Sequence, residues 1–182
     1  MVAIVYGSST LNTQYTAERI HAAFGADRAE LHNVRDVSVD LLNRYSGFVF
    51  ISSTWGVGDL QDDWEVFFPQ LDAMDMTGTA VALVGLGDQE NYPDHFCDSI
   101  RLLYDKVIER GGRVVGQTDT EGYTFKSSRS LVGGRFVGLV IDEDNQASIR
   151  VAEKTGMAFV KTGRDEFDPF HLYAINQSEK MK

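Results

Sequence analysis

The feature that most constrains the fold of this chain is a series of short segments that are apolar at consecutive positions. Such a segment has no polar face to turn toward water, which is typical of strands in a parallel sheet covered by helices on both sides. The segments are VAIVY (2–6), GFVFISS (47–53), TAVALVGLG (79–87), and RVVGQT (113–118) with its continuation RFVGLVID (135–142) after an interruption; AELHNV (29–34) is a weaker example, with polar residues among the apolar ones.

Helical patterns lie between these segments, over residues 13–24, 40–45, 62–71 and 95–111. In the last of them an apolar residue recurs at helical spacing, and RGG supplies a common stop. The recurring residues are Phe96, Ile100, Leu103 and Val107. The alternation of strand and helix predicts one doubly wound α/β domain, and 182 residues are enough for a well-buried core.

The net charge of −10 is concentrated in one part of the chain. Between Arg44 and Arg101 there are ten acidic residues and no lysine or arginine. Such a surface disfavours nucleic acid and anionic membranes as partners and favours a basic protein. The alternative is that the acidity serves only solubility.

The sequence also indicates the compartment. Cys97 is the one cysteine, so no internal disulfide can form. The apolar stretches are too short to cross a bilayer. The start MVAIVYGSS lacks the basic region and the long apolar region of a secretory signal. We therefore expect a cytoplasmic protein.

The loop after the first apolar segment, residues 7–13, is rich in hydroxyl and amide groups and has no basic residue. Because a helix is predicted to begin there, backbone N–H groups and the helix dipole favour an anion such as phosphate. Further hydrogen bonds can come from Ser8, Ser9, Thr10, Asn12 and Thr13. The loop lacks the lysine of a nucleoside triphosphate site and the G-x-G-x-x-G of a dinucleotide site. Taken alone, it supports a phosphate site and an ordinary helix start equally.

Two later loops are expected beside the first one, because the carboxyl ends of parallel strands lie at one edge of a sheet. They are SSTWGVGDLQDDWEVF (52–67) and GLGDQENYPDHFCDSI (85–100). Each carries one large aromatic residue, Trp55 or Tyr92, in a glycine-rich setting. One such residue usually belongs to the core or the surface, but two beside a phosphate loop can sandwich a flat ring.

These three loops resemble those of the long-chain flavodoxins. The shared patterns are G-S-S-T-x-x-T, T-W-G-x-G-x-L-Q-x-D-W and G-L-G-D-Q-x-x-Y. The interruption at 119–135 resembles the insertion in the fifth strand of long-chain members, and FVGLVIDEDNQ (136–146) resembles the end of that strand. The likeness covers residues 2–146. It implies a flavodoxin-like, doubly wound, five-stranded parallel sheet in the order 2-1-3-4-5, with helices on both faces.

The resemblance implies a bound FMN with its isoalloxazine ring between Trp55 and Tyr92. The residues implied for the phosphate are Ser8, Ser9, Thr10, Leu11, Asn12 and Thr13. Those implied for the ribityl chain and the ring edges are Ser53, Thr54, Trp55, Gly56, Val57, Gly58, Leu86, Gly87 and Asp88. His95, Cys97 and Asp144 are implied close to the cofactor.

Two of these positions depart from common family usage, since His95 and Cys97 stand where asparagine and glutamine are frequent. For His95, a polar residue that opens a helix is an equal alternative to a flavin contact. For Cys97, a buried and unreactive thiol is the favoured interpretation.

The resemblance further implies a low-potential one-electron carrier that shuttles electrons between a reductase and acceptor enzymes, rather than an enzyme. Acidic residues near the ring would oppose its reduction and would steer a basic partner such as a ferredoxin/flavodoxin–NADP reductase. Gly56 tolerates a positive φ, so we expect the Gly56–Val57 peptide to turn over on one-electron reduction. The alternatives are an FMN-dependent NAD(P)H or quinone reductase, which would need a cation for the nucleotide phosphates, and a flavin-free interaction module.

Residues 147–182 form a tail that departs from the family pattern, and we expect it to pack on the domain formed by residues 1–146. SIRVAEKTG predicts a short helix, and MAFVKTG and PFHLYAI predict the strands of a hairpin. The tail resembles the carboxyl end of a GNAT acetyltransferase, but it lacks the strand and glycine-rich turn that hold acetyl-CoA, so we expect no acetyl transfer. We expect a monomer; an apolar patch on the hairpin would instead allow a dimer through the tail.

Overall fold

Three buried parallel strands form the centre of the structure. The computed structural model describes residues 1–142 and, as backbone, two further strands at 157–164 and 169–175. The central strands are β1 (Val2–Tyr6), β3 (Gly47–Ser53) and β4 (Ala80–Gly87), and β3 pairs with both of the others. Most of their residues are buried and none is fully exposed. The consecutive apolar positions in the sequence therefore do mark strands covered on both faces.

The other elements follow in the predicted alternation of strand and helix. Short 3₁₀ helices occur at Val34–Asp36 and Phe68–Ala73. The remaining elements are α1 (Asn12–Phe24), β2 (Ala29–Asn33), α2 (Val39–Leu42), α3 (Asp62–Phe67), α4 (Ser99–Glu109), β5 (Arg113–Val115), β6 (Leu131–Val132), β7 (Arg135–Phe136), β8 (Leu139–Asp142), β9 (Met157–Arg164) and β10 (Pro169–Ile175).

The sheet has the predicted order β2-β1-β3-β4-β5, with parallel pairing throughout. The fifth position is shared, because β5 pairs with residues 80–82 of β4 and β8 pairs with residues 84–87. The chain leaves the sheet between them. It forms the small antiparallel pair of β6 and β7 before it returns. The prediction of a fifth strand split by an insertion is confirmed.

The fifth strand is shorter than predicted on both sides of the split. Gly116 has φ +81° and follows directly on the end of β5. Residues 135 and 136 pair with β6 instead of β4, so the sheet is resumed only at Leu139. At Gly138 a Cβ atom would lie 2.3 Å from the carbonyl oxygen of Leu83, and only glycine allows this close passage.

Three predicted helices also have different bounds, two of them for clear local reasons. The segment 62–71 is an α-helix only to Phe67, because Pro69 has no N–H to continue the ladder and a 3₁₀ helix follows. The segment 95–111 becomes helical only at Ser99. Phe96 is nevertheless fully buried, since it enters the core from the turn that precedes α4. The segment 40–45 forms the four-residue α2.

The two faces of the sheet are covered by different helices. Alternate residues of β1 separate accordingly: Ala3 and Val5 pack in the cluster that includes residues of α3 and α4, and Ile4 and Tyr6 pack with Ala17 of α1. Because both faces are closed, ligands have access to the sheet only at its ends. The ends that concern function are the carboxyl ends of β1, β3 and β4.

The predicted hairpin in the tail is present, since β9 and β10 pair antiparallel from Met157 opposite Ile175 to Arg164 opposite Pro169. The predicted short helix within 147–156 lies outside the described residues. Among the helices that the structure describes, none has the length and apolar character needed to traverse a membrane.

Candidate functional site

A pocket of about 340 Å³ opens at the carboxyl edge of the sheet, where the loops after β1, β3 and β4 meet. Trp55 and Tyr92 both lie on its wall, and both rings keep a large exposed fraction, 40% and 63%. The residues that line the pocket are Thr10, Asn12, Thr13, Ser53, Thr54, Trp55, Gly56, Leu86, Gly87, Asp88, Tyr92 and His95. None of them is a lysine or arginine, so the pocket offers neutral donors and apolar surface.

The loop after β1 packs closely on the side chain of Gln61, which precedes α3. A Cβ atom at Gly7 would lie 2.0 Å from Gln61 Oε1 and 2.7 Å from Cδ1 of Trp64, so only glycine fits there. The Gln61 Nε2 group donates to Ser9 Oγ at 3.1 Å. Ser8 Oγ is buried and has no hydrogen-bond partner among the described residues. A buried hydroxyl without a partner is costly, and it marks a place where a polar ligand group would be favourable.

The loop after β3 holds Trp55 through a tight turn. The backbone N–H of Trp55 donates to the carbonyl of Asp59 at 3.0 Å, and its indole Nε1–H donates to Ser53 Oγ at 3.0 Å. Gly56 has φ +51° in this turn, and the N–H of Val57 donates to Asp59 Oδ2 at 3.3 Å. The indole is thus oriented by its own strand end while one face stays open.

The loop after β4 is anchored at two points. The backbone N–H of Gln89 donates to Asp142 Oδ1 at 3.2 Å, and its Nε2 group donates to Asp142 Oδ2 at 2.5 Å. Closer to the pocket, the N–H and the side-chain amide of Asn91 hold the pKa of Asp88 below its ordinary value. Asp88 therefore brings a stable negative charge to the pocket wall.

His95 lies on the pocket wall and is held from behind by a buried carboxylate. Its Nδ1 atom is 3.1 Å from Oδ2 of Asp98, whose side chain is 1% exposed. The backbone N–H of Arg129, in the insertion, donates to the other Asp98 oxygen at 2.6 Å. The insertion thus contributes to the order of the pocket although it lies far away in the sequence.

All twelve residues on the pocket wall belong to the set predicted from the sequence. The others are placed around it. Ser8, whose Oγ atom is buried, and Ser9, which is exposed, belong to the first loop but not to the wall. Leu11, with φ +70°, and Val57 are exposed, Gly58 packs on Asp98, and Asp144 lies outside the described residues.

Cys97 does not reach the pocket, contrary to its inclusion in the predicted set. It is fully buried, and its Sγ atom would lie 3.1 Å from a Cβ at Gly87. Burial raises the pKa of the thiol well above its ordinary value, so the thiol stays neutral. The favoured interpretation of an inert core cysteine agrees with this position.

Four supporting residues were missed by the sequence reasoning: Gln61, Gln89, Asp98 and Asp142. Each is a polar side chain that connects two segments distant in sequence, such as Gln61 with Ser9. Gln61 and Gln89 did stand inside the recognised patterns. The sequence signal that could have identified these two residues was a glutamine at a set position within a glycine-rich loop pattern.

Comparison with known proteins gives one consistent result. A family model described as Flavodoxin matches residues 4–154. The chain is 43% identical over 148 residues to a flavodoxin from Nostoc sp., a match that covers 81% of this chain and 87% of the relative. It is 41% identical over 147 residues to flavodoxin 2 of Escherichia coli strain K12, covering 80% and 85%.

Among solved structures, the Fusobacterium nucleatum flavodoxin bound to flavin mononucleotide is similar, with a TM-score of 0.78 and 31% identity. The match covers 85% of this chain and 93% of that one. The family model extends past residue 146 to residue 154, into the tail. These matches give no support to the likeness of the tail to an acetyltransferase.

We expect Gly7→Ala to lower the free energy of unfolding by about 1–3 kcal/mol, because the added methyl must displace the Gln61 amide and the Trp64 ring. Urea denaturation followed by tryptophan fluorescence measures the change. Gly47→Ala is the control for a methyl added to a buried glycine, since its Cβ would meet the Ala80 carbonyl oxygen at 3.3 Å, a much milder approach than 2.0 Å. Equal stability of the two variants would contradict the close packing beneath the loop.

Proposed function

The chain belongs to the flavodoxin family, and on that premise we propose that it binds FMN non-covalently in the pocket and serves in the cytoplasm as a low-potential one-electron carrier. FMN supplies the redox-active ring when bound, and the protein supplies the phosphate donors, the stacking surfaces and the charge around it. The observation that carries the proposal is a neutral, hydroxyl-rich loop facing two exposed aromatic rings across one pocket.

The residues present fit an FMN phosphate. Thr10, Asn12 and Thr13 line the pocket where α1 begins, so backbone N–H groups and the helix dipole favour an anion there. Ser8 Oγ has the unmet hydrogen-bonding capacity that a phosphate oxygen would satisfy. We propose that Ser8, Ser9, Thr10, Leu11, Asn12 and Thr13 hold the phosphate, without any cation.

The remaining wall fits the ribityl chain and the ring. We propose that Trp55 and Tyr92 flank the ring, and that Ser53, Thr54, Gly56, Leu86, Gly87 and Asp88 line the chain and the ring edges. His95 is proposed as a contact at the ring edge, and Asp144 as a residue near the cofactor. Cys97 would act only by packing beneath Gly87.

The charges around the pocket support a low reduction potential. Full reduction adds negative charge to the ring, and Asp88 on the wall, with the phosphate itself, opposes that addition. Each 1.4 kcal/mol of opposition lowers a one-electron potential by about 60 mV. Stacking on Trp55 and Tyr92 favours the electron-poor oxidised ring, and so acts in the same direction.

The alternative of an NAD(P)H or quinone reductase is not favoured. Such an enzyme needs a cation for the phosphates of a nicotinamide nucleotide, and none of the described residues on the pocket wall is a lysine or arginine. Flavodoxins are electron-transfer proteins rather than enzymes, and the relatives described above carry that name.

We assign the chain to the long-chain subtype, with residues 119–135 as its insertion. The insertion returns the chain to β4 through β8 and contacts the site through Arg129. We also propose that residues 147–182 pack on the domain of residues 1–146, which the proximity of β10 to α1 supports. The proposed state is a monomer, with a dimer through the tail as the alternative.

Addition of FMN to the apoprotein should quench both the tryptophan fluorescence of the protein and the fluorescence of FMN itself, because Trp55 stacks on the ring. Trp55→Ala should weaken binding, since a buried aromatic contact is worth about 1 kcal/mol beyond its area. Val66→Ala, an exposed change on α3, is the control. No quenching in the wild type would contradict the proposed function, and NADPH oxidation without an added reductase would support the reductase alternative.

Turnover of the Gly56–Val57 peptide on one-electron reduction can be tested at Asp59. Turnover rotates the peptide about ψ of Gly56 and φ of Val57, and it requires that Val57 N–H release Asp59 Oδ2. Asp59→Ala removes the charge and the acceptor, whereas Asp59→Asn removes only the charge. We expect the first one-electron potential to be higher in the alanine variant than in the asparagine variant. The difference should be about 20–65 mV, the equivalent of one hydrogen bond.

Spectroelectrochemical titration measures both one-electron potentials. The second potential should differ little between the two variants, since each has lost the same charge. A first potential that is equal in both would mean that the peptide keeps one orientation.

The proposed partner is a basic redox protein such as a ferredoxin/flavodoxin–NADP reductase. Its association rate should fall steeply with ionic strength, because acidic loops around the pocket steer the encounter. Glu90→Gln, beside the pocket, should reduce this salt dependence. Asp27→Asn, in the loop before β2 at the opposite edge of the sheet, should not. Stopped-flow reduction at several salt concentrations measures the association rate of each variant. A wild-type rate that does not change with ionic strength would exclude steering.

A further inference from the structure

We propose that Gln61 is a positioning residue that makes the Ser9 hydroxyl a hydrogen-bond donor toward the FMN phosphate. This inference rests on the proposed function, because it concerns the same loop. Gln61 lies outside the pocket wall and is 1% exposed. It would therefore act on the phosphate through Ser9 rather than by contact.

The orientation of the Gln61 amide is fixed by two backbone donors. Its Oε1 atom accepts from the N–H of Asp63 at 3.1 Å and from the N–H of Trp64 at 3.3 Å, which caps the start of α3. Because the oxygen must face these two N–H groups, the NH₂ end faces the other way. There it meets Ser9 Oγ at 3.1 Å and Asp63 Oδ2 at 3.2 Å.

This orientation decides the role of the Ser9 hydroxyl. An amide nitrogen has hydrogens but no acceptor lone pair, so Ser9 Oγ must be the acceptor in its bond with Gln61. The hydrogen of the hydroxyl is then left for another partner. A phosphate dianion offers only acceptors. Because the Ser9 hydroxyl already accepts from Gln61, its hydrogen is oriented to donate to the phosphate.

The contact with Gly7 makes the arrangement rigid. The Gln61 amide lies so close to Gly7 that no side chain fits between them, and both of its N–H groups and both of its acceptor positions are used. A side chain with every hydrogen bond made and almost no exposed surface has no other rotamer of similar energy. The donor character of Ser9 is thus built in before any ligand arrives.

Two variants of Gln61 separate this role from a merely structural one. Gln61→Glu keeps the acceptor for Asp63 and Trp64 N–H but replaces the donor with a second acceptor, which faces both Ser9 Oγ and Asp63 Oδ2. The Asp63 carboxylate has no hydrogen to offer it, so the Ser9 hydroxyl is the group that turns its hydrogen toward residue 61. Gln61→Met removes all four hydrogen bonds but leaves the Ser9 hydrogen free. Gln70→Glu, an exposed change in the 3₁₀ helix after α3, controls for the added charge.

The measurement is the affinity of each apoprotein at pH 8 for FMN and for riboflavin, which has the same ring without the phosphate. In Gln61→Glu we expect the preference for FMN over riboflavin to fall about tenfold or more, as for a lost hydrogen bond to a charged group. In Gln61→Met the preference for FMN should fall less, although this variant should unfold at a lower urea concentration than the wild type. Should the methionine variant lose more preference than the glutamate variant, Gln61 would be a structural cap only.

A double-mutant cycle with Ser9→Ala tests the route of the effect. If Gln61 acts through Ser9, Gln61→Glu costs much less preference in the Ser9→Ala background than in the wild type. Additive losses would overturn the proposal, since they would mean that the glutamate acts on the phosphate by its charge alone. The proposed function fails separately, namely if the wild type itself binds neither ligand.

Discussion

The burial of β1, β3 and β4 on both faces is the constraint on which the rest of this structure depends. Strands without a solvent face must be parallel neighbours joined by helices that cover the sheet. Every connection then returns to the same starting edge, so the loops that follow β1, β3 and β4 all lie at the opposite edge. Three segments that are far apart in sequence are brought to one pocket by this requirement alone, before any ligand is considered.

The pocket is organised by neutral dipoles and by side chains behind its wall. Gln61 supports the first loop, Asp59 and Ser53 orient Trp55, and Asp142 anchors the loop that carries Tyr92. The contacts of Gln61 and Asp142 join segments that are distant in sequence, whereas those of Trp55 lie within its own loop. A site held in this way is largely preformed, so less ordering has to accompany binding.

The sequence predicts the features that depend on local patterns better than those that depend on contacts between residues far apart in the chain. The alternation of strand and helix follows from the apolar runs, which are local signals. The strand order, the split fifth strand and the residues of the pocket wall were implied by the resemblance of three loops to the long-chain flavodoxins. The bounds of α4 do not, because Phe96 is buried from a turn and so imitates a helical position. Gln61 and Asp142 were missed because their partners are 52 and 53 residues away, and no periodicity encodes such a pair.

The position of the acidic residues shows why net charge alone is a poor guide to the field at the site. Within the segment that has no basic residue, Asp72 pairs with Lys106, Asp94 with Lys126, and Asp98 with Arg129. All three cations come from beyond the segment, so folding neutralises part of its charge. Among the described residues, no such pair involves Asp59, Asp62, Asp88 or Glu90, which lie in the loops after β3 and β4 or at the start of α3. Much of the charge without a cation partner therefore lies at the end of the sheet where the pocket opens, and there it would oppose the reduction of a bound ring and attract a basic partner.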